Sequence, residues 1–596
     1  MRITRLVVMG ATSAALFATT TARAQEQVET KTKQGAMRAP TFTNVTDAML
    51  MNARNDGGKN WLMVGRDYSN QRWSPLNQIT TANVNQLKVA WMYQTGISRL
   101  GSFETSPVVV DGVMYVTTPY NVAMAVDART GREIWRYEHK LGTQIYCCGP
   151  NNRGVAISGN TVYMVTLDAR LVALDAKTGK VQYDVEVADP EAGYSLTHAP
   201  IVVGDKLIVG ISGGEYGIRG FVTAYNKADG KQLWRTYTIF DKGWEGKYSE
   251  KTWEGDYSLH RDIAAEKAAA SKYADAWQRG GAGVWMNAAY DDQLKMLYVA
   301  TGNPSPDLDG TVRPGDNLCS DCIMALDVNT GAIKWYYQEV PHDVWDLDAV
   351  SPPIVVTLKN GKKAVAQAGK TAWVYILDAQ TGKLIRKSQN FNRIDNMFAQ
   401  PTAEGTRMLP GANGGSEWSP MSYNPNLGYA YVMGLEQPMN YITHNAPLEK
   451  GKLWLGSAFK AVPGETQYGT FTAIDLNTGK IAWNVNTEQP MIGGSLATAG
   501  GLVFTGEGNG MFRAFDARTG RTLWSFQAGA GCNAPPVSYQ LDGNQYIAVA
   551  CGGNFQLGYP LGNTVLVFSL GGRGAAATTN APNMGPPQGD KPSRPR

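Results

Sequence analysis

Short apolar runs alternate with turn residues along this chain, and one arrangement keeps returning. An apolar strand is followed by Asp-x-x-Thr-Gly and then, four residues past the glycine, by an aromatic side chain. The copies are VDARTGREIW (Asp127, Trp135), LDAKTGKVQY (Asp175, Tyr183), YNKADGKQLW (Asn226, Trp234), LDVNTGAIKW (Asp327, Trp335), LDAQTGKLIR (Asp378, with Arg386 in the aromatic slot), IDLNTGKIAW (Asp475, Trp483) and FDARTGRTLW (Asp516, Trp524). Each predicts two strands joined by a tight turn in which glycine supplies the positive φ, with the aromatic packing on the neighbouring sheet. A shorter cousin, NVNQLKVAW, ends at Trp91 and makes an eighth.

Successive copies lie about 60 residues apart, room for four short strands and their loops. Self-similarity on that scale indicates a propeller or a solenoid. An all-β, eight-bladed propeller of four-stranded antiparallel sheets, closed by the two chain ends, fits better than a β-helix. Two intervals, Asn226 to Asp327 and Asp378 to Asp475, are unusually long and predict blades with large inserted loops, the place where propellers carry function.

Composition agrees: 43% hydrophobic, 18% charged, 66 glycines and 10% aromatic residues describe a globular, strand-rich chain. The net charge of +4 is concentrated at the two ends. The body between them is slightly acidic and has no block of like charge, which sets nucleic-acid binding aside. Residues 1–24 read as a signal peptide: Arg2 and Arg5, an apolar stretch, and the small-residue site Ala22-Arg23-Ala24. No later stretch is long and apolar enough for a membrane helix. Export to a bacterial periplasm is the expectation. Residues 25–570 form the propeller domain, and the Gly-, Pro- and Ala-rich stretch 571–596 reads as a disordered tail.

The six cysteines are too few for a disulfide scaffold. No Cys-x-x-Cys-His occurs, so no covalent haem is expected, and Cys319–Cys322 lacks the second pair of a zinc site. Pairing of Cys319 with Cys322, and of Cys532 with Cys551, is left open, as is a bond between the adjacent Cys147 and Cys148. Oxygen ligands stand on separate loops: Glu215, Asn303, Asp346 and Asp348. On an extended strand Asp346 and Asp348 face one side, and two close carboxylates need a cation or a proton between them. An oxygen-only set suits Ca²⁺ or a similar large cation rather than zinc. Trp285 stands among glycines that clear space around an indole.

Together the repeat, the cysteine pair with its following Asn-Arg-Gly, TGNPSP, RPGDN and PHDVWD make residues 40–570 resemble the pyrroloquinoline quinone (PQQ) dependent alcohol dehydrogenases, whose fold is an eight-bladed propeller. The resemblance implies PQQ held between Trp285 and a Cys147–Cys148 disulfide, with Arg153, Thr197, Ser212, Gly213 and Gly214 around it. Glu417 stands where relatives have an asparagine at the cofactor edge. It implies a metal on Glu215, Asn303 and Asp346, with Asp346 also the catalytic base, and Lys370 at the quinone oxygens. Asp348 matches the extra carboxylate of lanthanide-dependent members, so a lanthanide is expected, with Ca²⁺ as the alternative. The implied reaction passes hydride from an alcohol to PQQ, giving an aldehyde or ketone, and electrons then leave for a separate c-type cytochrome. Ile492 in place of a tryptophan predicts a wider pocket, and the missing Trp-Gly-Trp at Trp285 argues against a dedicated methanol enzyme. A sugar or polyol dehydrogenase and a non-catalytic propeller scaffold are the competing readings.

Overall fold

The computed structural model describes residues 40–572. The predicted signal peptide and positions 573–596 of the predicted tail lie outside the described residues. No described helix is long and apolar enough to cross a membrane.

Among the described residues the strands form nine sheets, eight of which are blades. Blade 1 shows the pattern. Val108–Val110, Val113–Thr118 and Val122–Asp127 are buried throughout, whereas Glu133–Glu138 alternates and is half exposed. The first strand is therefore innermost and the fourth outermost. The repeat builds the last hairpin of each blade. Gly131 donates its N–H to the Asp127 carbonyl (2.8 Å), and Asp127 Oδ1 accepts from the Arg129 N–H (2.8 Å). Beside this turn the pairing slips between Ala125 and Val126, leaving Ile134 as the extra residue before Trp135. The same slip recurs at Ala224/Tyr225, Ala325/Leu326, Ala473/Ile474 and Ala514/Phe515, and such a bulge re-aims the side chain that follows.

That side chain is the repeat tryptophan, and it latches each blade to the next. Trp135 Nε1 donates to the Ala176 carbonyl of blade 2 at 2.9 Å. Its ring covers Gly179, where an added Cβ would fall 2.6 Å from a ring carbon, so the repeat needs glycine for space as well as for its φ of +69°. The same bond runs from Trp91 to Ala128, Trp234 to Val328, Trp335 to Ala379, Trp483 to Ala517 and Trp524 to Leu87. Tyr183 replaces it with a hydroxyl bond to the Lys227 carbonyl. Arg386 offers no ring, and only its aliphatic stem approaches Gly479.

Blade 8 joins the chain ends. Val537–Leu541, Asn544–Cys551 and Thr564–Ser569 take Lys88–Gln94 as their outermost strand, with Lys88 opposite Ser569. The two long intervals hold the predicted insertions. One carries the short helix Ile263–Ala269, the other a three-stranded sheet of Thr406–Met408, Met439–Thr443 and Ser457–Ala461.

Antiparallel order decides where function can sit. The link into each first strand and the link between second and third strands emerge on one face, and the Asp-x-x-Thr-Gly turns on the other. Arg153, Thr197, Trp285, Asp346, Asp348 and Glu417 all stand on links into first strands. Ser212 and Lys370 follow second strands. The predicted site residues thus share one face although they come from five blades.

Candidate active site

A cavity lies among these loops. Cys147, Cys148 and Trp285 line it, with Arg153, Thr197, Ser212 and Gly213. Glu215, Asp346, Asp348, Lys370 and Glu417 line it too, together with Asn151, Ser195, Trp418 and Gln556. Gly214 and Asn303 stand behind the wall, the Asn303 carbonyl 3.8 Å from where a Gly214 side chain would begin. Cys147 and Cys148 are joined by a disulfide, and their sulfurs and a Glu215 oxygen lie within 4.8 Å of one another. Cys319–Cys322 and Cys532–Cys551 are also bonded, which closes the question that spacing left open.

Lys370 organises the acids. It is 3% exposed, and its Nζ lies 2.9 Å from Asp346, 3.3 Å from Asp348 and 3.8 Å from Glu417. Burial works against its charge, but the three carboxylates outweigh it and hold the ammonium well above the usual range. Burial pushes Asp346 well up against the pull of Lys370, and Asp348 beside it adds to the push. Lys370 and a hydrogen bond from Asp346 hold Asp348 low against its own burial. Glu215 is pushed up to about 7 by burial, with Asp348 and Glu417 adding to it.

The two aspartates do not converge by strand alternation. The segment is a loop, and Asp346 has a φ of +61°. Asp343 shapes it: its carboxylate accepts from the Trp345 N–H at 2.9 Å and the Leu347 N–H at 2.8 Å. That turn brings both side chains to Lys370.

On the other side Arg153 is the cation. It pairs with Glu104 at 2.8 Å, and its guanidinium carbon lies 5.2 Å from the Trp285 ring and 4.9 Å from the Trp418 ring. Its Nε and Nη1 are buried with no hydrogen-bond partner among the described residues. Thr197 and Ser212 offer hydroxyls 3.2 Å apart. Unpaired guanidinium N–H groups, two hydroxyls, an indole face and a sulfur face are what a flat polycarboxylate needs, and Glu215, Asp346 and Asp348 are what a hard cation needs. The residues fit PQQ and a metal ion.

Glu104, Asp307 and Trp418 belong to this site and escaped the sequence reading. Burial pushes Glu104 up to about 7 despite Arg153. Ile492 does not line the cavity. It packs with Met286, Trp418 and Tyr559, so Trp418 fills the wall that a smaller residue at 492 was expected to open.

His198 follows Thr197, is 3% exposed, and accepts from the Gly210 N–H at 3.2 Å. Burial, helped by Arg153, pushes it down from 6.5 to about 3. The unfolded chain takes a proton below pH 6.5 that the folded chain refuses until about pH 3, so stability falls as pH drops through that window. We expect His198→Gln to show a shallower acid-side fall in melting temperature than wild type. Equal slopes from pH 7 to pH 4 would show that His198 does not set it.

Comparisons with known proteins agree with this geometry. The family model described as PQQ: Glucose/ethanol/alcohol dehydrogenase, beta-propeller domain, matches residues 61–390 and 436–547. The quinoprotein alcohol dehydrogenase PedH of Pseudomonas putida is 37% identical over 513 residues, covering 82% of this chain and 85% of that protein. The solved quinohemoprotein alcohol dehydrogenase ADHIIG of Pseudomonas putida superposes with a TM-score of 0.78 at 32% identity, over 93% of this chain and 85% of that one. A europium-containing methanol dehydrogenase gives 0.77 at 29% identity, over 88% of this chain and all (100%) of that one. The chain belongs to the PQQ-dependent alcohol dehydrogenase family of β-propeller quinoproteins. It is a PQQ-dependent alcohol oxidoreductase.

Proposed function

We propose that this protein oxidises an alcohol to an aldehyde or ketone in the periplasm with a lanthanide ion as its metal, and passes the electrons to a separate c-type cytochrome. The observation that carries the metal assignment is the charge balance around Lys370. Glu215, Asp346, Asp348 and Glu417 crowd one ammonium inside a buried cavity. Each carboxylate beyond the first pair favours a trivalent over a divalent cation.

When bound, PQQ supplies a two-electron acceptor and the metal a Lewis acid. The chain does the rest. Trp285 and the Cys147–Cys148 disulfide offer the flat faces, and Arg153, Thr197 and Ser212 the polar edge. Asp346 takes the alcohol hydroxyl proton at its carboxylate. Lys370, anchored by Asp346 and Asp348, places a fixed positive charge where negative charge develops. Burial keeps water from competing for either group. Gly213 and Gly214 keep the backbone beside Ser212 free of side chains, and Asn303 joins Glu215, Asp346 and Asp348 as a metal ligand. Residues 1–24 act as the export signal.

The test is dye-linked oxidation of an alcohol panel by the apo-protein reconstituted with PQQ, with Ca²⁺ and La³⁺ in parallel. Activity with La³⁺ alone, lost in Asp348→Ala, is the expected result. Equal or better activity with Ca²⁺ would overturn the lanthanide assignment.

A further inference from the structure

Asp307 sits four residues beyond Asn303 in TGNPSPD, and both are 3% exposed. The Asn303 amide nitrogen donates to Asp307 Oδ1 and, at 3.0 Å, to the Pro304 carbonyl. A carbonyl and a carboxylate only accept, so the nitrogen must face them. A planar amide that spends both N–H bonds on one side presents its oxygen on the other. Were the amide free to turn over, its N–H groups would answer the neighbouring carboxylates and oppose a cation.

Asp307 is itself held. Arg313 Nη2 donates to its carbonyl at 3.2 Å, and Arg313 Nε to the Pro306 carbonyl at 2.9 Å.

We infer that Asp307 is a positioning residue of the metal centre, fixing the Asn303 amide so that its oxygen rather than its nitrogen faces the cation. This rests on the metal reading above. Groups that orient a metal ligand typically change affinity ten- to hundredfold when removed.

The probe is Tb³⁺ binding to the full PQQ-loaded protein, followed by sensitised luminescence. Lifetimes in H₂O and D₂O count the coordinated waters. Asp307→Ala should weaken Tb³⁺ about ten- to hundredfold and admit about one extra water. Asp307→Asn, whose side-chain oxygen can accept the same bond, should keep the wild-type water count and stay within a few-fold in affinity. Wild-type behaviour of the Ala variant would overturn the inference. So would an Asn variant as weak as Ala, since charge rather than orientation would then be at work. If the Ala variant does not fold, the Asn variant decides: an added water in it overturns the inference, an unchanged count upholds it. Glu215→Gln, run alongside, should abolish Tb³⁺ binding at the site. Wild-type binding there would instead bring down the metal reading, and this inference with it.

Discussion

Asp346→Asn should lower kcat about a thousandfold while PQQ stays bound. The substitution keeps shape and an oxygen for Lys370, which now lies 2.9 Å from the carboxylate. What it removes is the capacity to take a proton. An amide also ligates more weakly, so the measurement is a single turnover at saturating metal, reading loss of the oxidised-PQQ absorbance after alcohol is added. The proton-acceptor role predicts that the defect persists there and that higher pH does not restore the rate. A rate within tenfold of wild type at saturating metal would show that the carboxylate serves the metal alone.

The second large effect concerns stability. Arg313 is 1% exposed and ties two loops together. It donates to the Pro306 carbonyl at 2.9 Å, the Asp307 carbonyl at 3.2 Å, Asn317 Oδ1 at 2.6 Å, and the Asp343 carbonyl. Those loops carry Asn303, the RPGDN turn and Asp346. Arg313→Met fills the space but leaves four buried acceptors unpaired. The expected cost is about 3–5 kcal/mol in urea denaturation, with loss of Tb³⁺ binding before the global transition. Arg313→Lys should recover little, because one ammonium cannot span a fork of four acceptors. A melting temperature for Arg313→Met within about 2 °C of wild type would refute the role.

The repeat made the architecture legible because it encodes a contact as well as a turn. Asp-x-x-Thr-Gly sets the hairpin, and the tryptophan finds the glycine of the next copy, so counting copies counts blades. Ile492 shows the limit. Its neighbours Met286, Trp418 and Tyr559 come from three other loops, and their packing depends on how blades 4, 6, 7 and 8 meet. Glu104 and Asp307 were missed for the same reason. Neither sits in the repeat, and each acquires meaning only from a partner, Arg153 in one case and Asn303 in the other. The Asp307 signal was present, since an acidic residue four positions after Asn303 is a local loop in which one side chain can reach the other. Asp346 and Asp348 do meet at Lys370, but not by the geometry the sequence suggested: the Asp343 turn brings them together, not a pleated strand.

Blade 8 gives the ring a seam, and the seam has an order of assembly. Blades 1 to 6 each form from a contiguous stretch, and blade 7 adds only the short strand Trp73–Ser74, parallel to Ala497 and Thr498. The seam must bring Lys88–Gln94 to Thr564–Ser569, across nearly the whole described chain. Closing so long a loop from an open chain costs on the order of 5 kcal/mol in entropy, unless the intervening blades have already curled the chain round. Synthesis reaches Thr564–Ser569 after every other strand. Until then the nascent protein is an open arc with bare strand edges at both ends, the form most prone to join another copy edge to edge. The six residues of that strand end the hazard, and a chain stopped just before them loses its closure rather than one-eighth of its sheet.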